Sequence, residues 1–591
     1  MQQAIIFDIE TDGFQQDATK IHCLVFKHTD TGRVWADGPD KVEESLRALS
    51  LSHLEEGLPL VGHNIINFDL QIIQRLYPWF KFNPDNVIDT LVLSRLIYSD
   101  LRERDGGNVE KGLLPTKLWA SHSLKAWGYR LGMLKGEYGE QEDAWDVFTP
   151  EMLEYCKRDV DVTETLYIRL MMAEYSQKAI ELEHKTAWAC AKMSASGWPF
   201  NAKAGADLYA TLVEKRESLK REMKETFETL VIERISEKTG KQLKPKIIEF
   251  NPSSRQQIGD RLIHKYGWKP TEFTPGGQPV VNEDTLRGLP YPEAEKLADY
   301  FLLEKRIGQL AEGDQAWLKL EKNGIIHGSI NTNGAITGRC THQAPNLAQV
   351  PSVRSPYGPE CRGLFTVLPG FSMVGCDLSG LELRCLAHFM SQWDGGEYSR
   401  ELLTGDIHTA NQKAAGLETR DQAKTFIYAF LYGAGDEKIG SIVGKGRKEG
   451  GVLRKTFLEA TPALKNLRDA VGRKVKERGY LIGLDGRRLA IRSEHAALNT
   501  LLQSAGALIS KQWIVECFKE TQAVGLKYGW DGDFTLLGYI HDELQWAVRD
   551  EIADDFGKRV VECASRAGTF FDFKVPIGAE FKVGKTWADT H

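Results

Sequence analysis

The chain opens on an apolar run, Ala4-Ile-Ile-Phe7, followed at once by Asp8, Glu10 and a turn at Asp12-Gly13. A short apolar run closed by turn residues predicts a buried strand, and residues 21–26 and 58–61 have the same character. Residues 69–77 and 153–172 instead repeat apolar positions every three or four residues, which gathers them on one face of a helix. Strands and helices mixed in this way predict an α/β unit over residues 1–185, with the Gly-rich, charged stretch 102–117 as a surface excursion. Helical spacing resumes over 181–196 and is broken by Gly197-Trp-Pro199. Residues 201–240 alternate apolar positions with Lys and Glu, predicting long amphipathic helices that end near Gly240 without a clean heptad. Further helices are predicted over 255–265 and 293–320, then a turn-rich segment containing Asn333 to Arg339. Residues 371–376 predict a strand that delivers Asp377 at its end, and 379–392, 419–432 and 495–519 predict helices. Residues 535–540 and 544–548 predict a hairpin with His541-Asp-Glu543 at its turn.

At 591 residues the chain exceeds one core and predicts about three to five domains of ~100–200 residues. A hydrophobic content of 42% with 27% charged residues fits a folded, non-membrane protein. No stretch approaches the ~18 consecutive apolar residues of a membrane span, and the first residues lack the basic-then-apolar order of a secretory signal. Nine cysteines are scattered without a CxxC pair, which predicts reduced thiols rather than disulfides or a zinc site. The net charge of −7 does not by itself suggest a nucleic-acid binder, but its distribution does. Residues 438–492 hold 15 Lys+Arg against 5 Asp+Glu, either a solvated basic surface or a track for a phosphate backbone.

Two acid clusters, Asp377-Leu-Ser-Gly-Leu-Glu382 and His541-Asp542-Glu543, bracket that basic stretch. Asp377 and Asp542 each end an apolar run; read alone, either could be an ordinary turn acid. Together they could share divalent ions with a substrate phosphate. Two such ions ~3.5–4 Å apart activate an attacking hydroxyl and stabilise a leaving oxygen. Between the clusters Arg420, Lys424, Tyr428 and Tyr432 recur every four residues and so share one helical face. The cations suit triphosphate oxygens and the tyrosines suit a sugar or base, although an exposed amphipathic face has the same composition. Near the N-terminus Asp8 and Glu10 stand at i and i+2 on a strand and point the same way. Asp69 follows Phe68, and Tyr155 and Asp159 are one helical turn apart. Four acids and a phenol can surround two metals and orient water for phosphodiester hydrolysis.

These residues resemble the motifs of family A DNA polymerases, and among them the bacteriophage T7-type branch. Asp377 to Glu382 resembles the first palm motif, Arg420 to Gly433 the fingers motif, and Tyr539-Ile-His-Asp-Glu543 the second palm motif. Thr337-Gly-Arg339, Asp406-Ile-His-Thr409 and residues 495–506 match the same pattern in order. The acids at 8, 10, 69 and 159 with Tyr155 resemble the tyrosine-bearing branch of the DEDD 3′–5′ exonucleases. The resemblance runs from about residue 1 to the end and implies an α/β multidomain fold. A ribonuclease H-like exonuclease domain would span 1–185 and a right-hand polymerase domain 186–591. Within the latter the thumb is expected at about 200–330, the palm at about 331–390 and 500–591, and the fingers at about 391–499.

The resemblance also implies roles. Asp377 and Asp542 would hold two catalytic Mg²⁺ ions, with Mn²⁺ able to substitute, and Asp8, Glu10, Asp69 and Asp159 two more beside Tyr155. Arg420, Lys424 and His408 would bind the incoming triphosphate, with Lys424 as proton donor to departing pyrophosphate. Tyr428 would pack near the deoxyribose and Glu382 would exclude a 2′-hydroxyl. Arg339, Tyr432, Gln503 and His541 would contact primer-template DNA, and Glu543 would support the metal cluster.

Ala429 stands where close phage relatives favour Gly, which predicts altered helix packing rather than lost activity. Tyr at 428, rather than Phe, resembles members that accept dideoxynucleotides readily. The exonuclease signature within the first ten residues leaves no room for a 5′-nuclease domain, so a replicative role is expected. The best-known phage relative carries a long basic thumb insertion that captures thioredoxin. Residues 238–254 offer no comparable domain, and 201–250 set 11 Lys+Arg against 9 Asp+Glu, so thioredoxin is not expected as a partner. The expected partners are primer-template DNA, dNTPs, a helicase-primase and a single-stranded DNA-binding protein, around a monomer in the cytoplasm of a bacterial host. A single-subunit RNA polymerase and a catalytically inactive DNA-binding scaffold are the alternatives; Glu382 and the complete exonuclease acids favour DNA synthesis.

Overall fold

In the computed structural model, which describes residues 3–134, 136, 138–141, 143–235 and 240–591, Ile5–Thr11 is the central strand of a five-stranded sheet. The order is Val34–Asp37, Ile21–His28, Ile5–Thr11, Leu60–Gly62, Val87–Asp89, with the first two pairings antiparallel and the last two parallel. Alternation along the central strand sends Ile5, Phe7 and Ile9 into one core, shared with the helices Val42–Glu56 and Asp69–Leu76. Ile6 enters the opposite core, shared with helix Pro150–Met171. The two-residue period carries Asp8 and Glu10 on from the Ile6 side, toward the helix that bears Tyr155 and Asp159.

The larger part of the chain is organised on a four-stranded antiparallel sheet ordered Phe534–Ile540, Glu543–Arg549, Phe371–Leu378, Ala579–Gly584. Val374, Cys376, Leu544 and Trp546 face a core shared with the helices Ala497–Ala523 and Ala553–Phe570. The first of these helices is buried around most of its circumference, as a central helix should be. On the other face Met373 and Ala547 pack near Trp198 and Trp587. Asp377 pairs with Glu543 and has the parity of this second face. Gly375 is required there: an added Cβ would lie 2.6 Å from the amide of Gln545.

Three sequence expectations need correction. The stretch 102–117 contains a helix, Leu101–Glu110, held by a buried ion pair rather than by an apolar stripe. Asp105 accepts Arg130 Nε and Nη2 at 3.0 and 2.8 Å and the Ala120 N–H at 3.0 Å. The helix begun at Ala202 stops at Thr226, and the chain becomes a hairpin of Leu230–Ile235 with Gln242–Ile248. Phe227 and Phe250, their tilted rings 4.5 Å apart, close its base, and residues 236–239, near the expected helix end, lie outside the described residues. The helix expected over 293–320 is divided into Pro292–Ile307, a π-helical turn Gly308–Glu312, and Trp317–Leu320. Gly308 and Gly313 flank the break, where a Cβ on Gly313 would meet the Gly308 carbonyl.

Helix Gln177–Ser196 joins the two halves through buried charge. Glu183 accepts Arg487 Nη1 at 2.7 Å and the Lys511 ammonium, and Arg487 Nη2 also meets Asp485 at 2.7 Å. Burial pushes the Glu183 carboxyl up, but Lys511 and Arg487 outweigh it and hold the group below its usual range. The neighbouring His184 accepts the Asp89 N–H at Nε2 (3.0 Å), and its Nδ1 lies 2.8 Å from the Ile180 carbonyl. This joint therefore touches the sheet of the N-terminal unit, the 480–490 hairpin and the central helix at once.

Candidate active sites

The turn His541-Asp542 brings the first acid pair together. The Asp542 carbonyl accepts the Leu378 N–H at 3.0 Å, locking the turn onto the strand that carries Asp377. His541 has φ of 59°, a left-handed conformation costing a non-glycine residue about 1–2 kcal/mol. Ser510 Oγ holds it by donating to the His541 carbonyl at 2.6 Å. Burial, then the charges of Glu543 and Asp542, push the Asp377 carboxyl up to about 7, despite His591 and Arg362. Burial and Glu382 raise Asp542 to about 6.

Glu543 behaves differently. Burial pushes it up, but His591, Arg362 and Gln545 outweigh burial and keep it below the usual range. It accepts Gln545 Nε2 at 2.7 Å and the Trp587 indole N–H, with His591 Nδ1 at 3.2 Å and Arg362 Nη1 at 3.7 Å. Glu543 is thus the fixed acid, while Asp377 and Asp542 are the two whose ionised forms a hard divalent cation would stabilise. Ligand atoms of Asp377, Glu543 and His591 all lie within 4.8 Å of one another.

Glu382, at the start of helix Leu381–Asp394, accepts Tyr432 Oη at 3.1 Å and lies 3.8 Å from Arg339 Nη2. Arg339, Glu382, His541 and Asp542 line one cleft with Gly506 on the central helix. Gln503 projects from that helix and donates to Asn499 at 2.9 Å. Helix Arg420–Leu431 begins with a reciprocal cap between Thr419 and Gln422. Its Ala423, Phe426, Ile427 and Phe430 are buried, leaving Arg420 and Lys424 exposed and Tyr428 half-buried along the opposite stripe. Arg420 Nε donates to Asp406 at 2.7 Å, and Asp406 caps Ile407–Ala415, the helix of His408. The His408 and Tyr428 rings are 6.5 Å apart, and burial, reinforced by Arg420 and Lys424, lowers the His408 pKa.

The basic stretch is less available than its count suggested. Arg487 is buried in the ionic joint, Arg492 pairs with Glu103 at 3.2 Å and Lys476 with Glu494 at 3.2 Å. Arg447, Arg454 and Arg468 line a cleft of about 620 Å³ beyond Tyr432, at Gly433 and His495.

The second acid centre sits at the end of the central N-terminal strand. Asp69 is 3% exposed and accepts the Ile9 N–H at 3.2 Å. Burial, with repulsion from Asp89 and Asp159, raises its carboxyl to about 7. Asp159 is 5% exposed, one turn beyond Tyr155, whose ring meets Tyr138 and Trp145 at 5.8 and 6.0 Å. Cys156 Sγ lies 3.4 Å from Asp8 Oδ2, and ligand atoms of Asp8, Glu10 and Cys156 fall within 4.8 Å of one another. Sequence reasoning missed Cys156, Asp89, Arg362, Trp587 and His591. Only Cys156 had a local signal, its place between Tyr155 and Asp159.

Comparison with known proteins agrees with this geometry. The profile of DNA polymerase family A matches residues 213–589, and that of a 3′–5′ exonuclease family matches residues 1–173. The DNA-directed DNA polymerases of Enterobacteria phage T3 and Escherichia phage T7 are each 40% identical over 708 aligned positions, covering 99% of this chain and all of each relative. DNA polymerase I of Aquifex aeolicus is 22% identical, covering 92% of both chains. The polymerase domain of Pol1 from M. smegmatis, solved with DNA primer-template and dNTP, superposes with a TM-score of 0.74. That pairing covers 100% of this chain and 96% of that one at 18% identity, and establishes likeness of fold alone. With two acid centres in two matched domains, the chain belongs to DNA polymerase family A and is a DNA-directed DNA polymerase carrying a 3′–5′ exonuclease domain.

Proposed function

We propose that the two centres act in opposition on one primer strand. Asp377 and Asp542 hold the ions for nucleotide addition; Asp8, Glu10, Asp69 and Asp159 hold those for removal of the 3′-terminal nucleotide. Polymerase and exonuclease domains of these families depend on divalent metal. The carboxylates at 377 and 542 fit a small hard cation, so Mg²⁺ is the ion assigned, with Mn²⁺ as substitute. When bound, such ions favour ionisation of the attacking hydroxyl and neutralise charge on the leaving oxygen.

Arg420 and Lys424 bind the triphosphate, Arg420 exchanging or sharing its Asp406 contact, and Lys424 protonates departing pyrophosphate. His408 adds a hydrogen bond to the outer phosphates. Tyr428 packs on the deoxyribose, Glu382 excludes a 2′-hydroxyl, and Tyr432 stands beside the templating pair. Arg339 and Gln503 read minor-groove acceptors common to correct pairs, and His541 meets the primer end. Glu543 fixes the turn beneath Asp542. In the other centre Tyr155 orients the attacking water.

The exonuclease domain is assigned to 1–185, the thumb to about 200–330, the palm to about 331–390 and 500–591, and the fingers to about 391–499. The enzyme is assigned a replicative role as a monomer in a bacterial host's cytoplasm, with a helicase-primase and a single-stranded DNA-binding protein and without thioredoxin. The observation that carries the reading is the half-buried Asp377–Asp542 pair joined through Glu382 to the stripe ending at Tyr432. Primer extension in Mg²⁺ with dNTPs against rNTPs tests it: selective dNTP addition is expected, lost in Asp542→Ala. Equal use of both sugars would overturn the role of Glu382.

A further inference from the structure

Helix Pro150–Met171 carries a thiol, Cys156, directly after Tyr155 and one turn before Asp159. Cys156 is fully buried in the core that holds Ile6, Val25, Val61 and Val160. Its Sγ nevertheless lies 3.4 Å from Asp8 Oδ2 and 3.5 Å from the Asp8 carbonyl. Cys23, equally buried, stands opposite Glu10 across the sheet and shares a hydrogen bond with the Cys156 thiol.

Burial first, then the Cys23 thiol and the Asp8 charge, push the Cys156 thiol well above its ordinary pKa. It is therefore held as S–H, a weak donor turned toward the Asp8 carboxylate. The ligand atoms of Asp8, Glu10 and Cys156 lie within 4.8 Å of one another, a mixed oxygen and sulfur set compact enough to close on one ion. The polymerase centre differs. Its corresponding set, among the described residues, is Asp377, Glu543 and His591. Cys376 adjoins Asp377 in sequence but faces the other side of the strand, into the core with Val374. Hard ions such as Mg²⁺ and Mn²⁺ take carboxylate oxygens, whereas Cd²⁺ and Zn²⁺ favour thiolate sulfur. Because Cys156 is buried and both acids are half-buried, an ion on the sulfur sits deeper than one held by the carboxylates alone.

We propose that Cys156 decides which ions the excision centre accepts. Its S–H positions the Asp8 carboxylate for Mg²⁺ or Mn²⁺, and its sulfur captures a thiophilic ion such as Cd²⁺, which arrests excision. On capture the thiol proton passes to solvent as the S–Cd bond forms, with no oxidation or reduction. Cys156 is thus a positioning residue in Mg²⁺ and a ligand in Cd²⁺. The inference rests on the assignment of Asp8, Glu10, Asp69 and Asp159 as the excision centre.

The test compares wild type, Cys156→Ala and Cys156→Ser in excision of a single-stranded oligonucleotide, with matched-primer extension and thermal unfolding as controls. Cys156→Ala should raise the Mg²⁺ concentration for half-maximal excision about tenfold, with the rate at saturating Mg²⁺ within about twofold. Cys156→Ser keeps a donor toward Asp8 and should stay within about twofold of wild type. Cd²⁺ added to Mg²⁺ should arrest wild-type excision at concentrations about tenfold below those needed for Cys156→Ser, and should affect extension equally in the two. Binding is read directly in the ultraviolet: a sulfur-to-cadmium charge-transfer band should appear in wild type and be missing from Cys156→Ser. A wild-type Mg²⁺ requirement in Cys156→Ala, equal Cd²⁺ sensitivity of wild type and Cys156→Ser, or a band that survives in Cys156→Ser would each overturn the proposal. So would equal impairment of excision and extension in both variants, which would mark the thiol as packing alone. Excision that survives Asp8→Ala would instead overturn the excision centre on which the proposal rests.

Discussion

Asp69, Asp377 and Asp542 are carboxyl groups whose pKa the fold raises, to about 7, 7 and 6, by burial before anything else. A carboxyl raised in the folded state contributes stability present below its unfolded pKa and lost as pH rises through the folded value. Between pH 6 and pH 8 the metal-free chain should therefore lose thermal stability, and Mg²⁺ should restore more at pH 8 than at pH 6. Thermal unfolding in chelator and in Mg²⁺ at both pH values checks this; equal increments from Mg²⁺ would show that the acids do not share it. Tyr428 carries a second expectation at this scale, since its half-buried ring lies beside the His408 helix, within the field of Glu382 and Asp542. Tyr428→Phe should increase discrimination against dideoxynucleotides in competition with dNTPs, and unchanged discrimination refutes the role. The paired acids were legible because strand ends and helical spacing place them locally. Arg362, Trp587 and His591 were not, because they reach Glu543 from segments whose approach depends on tertiary packing.

Among the elements, periodicity succeeded where one face is apolar and failed where polar or tertiary contacts decide. Helix Arg420–Leu431 was readable from its stripe of residues spaced by four, while its Thr419 cap emerged only in the fold. Helix Leu101–Glu110 was not, because its anchor is Asp105 clasped by Arg130, and an isolated acid in a Gly-rich stretch looks like surface. The 230–248 hairpin was obscured by Lys and Glu at helical spacing, while the strand-forming Leu-Val-Ile run and the Phe227–Phe250 contact prevailed. The ionic joint yields the sharpest prediction here. Glu183→Gln would leave Arg487 and Lys511 with one buried anion fewer, destabilising the joint by about 3–5 kcal/mol. Chemical denaturation followed by tryptophan fluorescence should show the loss, and a midpoint equal to wild type would mean that the charges are relaxed elsewhere.

For the whole molecule, the two-domain order was legible because each domain carries its own set of acids in sequence order. The contact between domains was not, since Glu183 and Arg487 are three hundred residues apart and neither sits in a recognisable motif. The T3 and T7 relatives align over 708 positions against a chain of 591, so each has well over a hundred positions without a counterpart here. The thumb assigned to this chain contains the short 230–248 hairpin, and tract length on a long template should not depend on thioredoxin. A several-fold lengthening on its addition would contradict that. The central claim, two separate centres with opposed reactions, is tested most directly on a primer-template with one 3′ mismatch, in Mg²⁺ and dNTPs. Asp8→Ala with Glu10→Ala should extend matched termini but leave the mismatch in place, whereas Asp542→Ala should remove the mismatch and fail to extend. Loss of both reactions in either variant, or mismatch removal at the wild-type rate without Asp8 and Glu10, would contradict it.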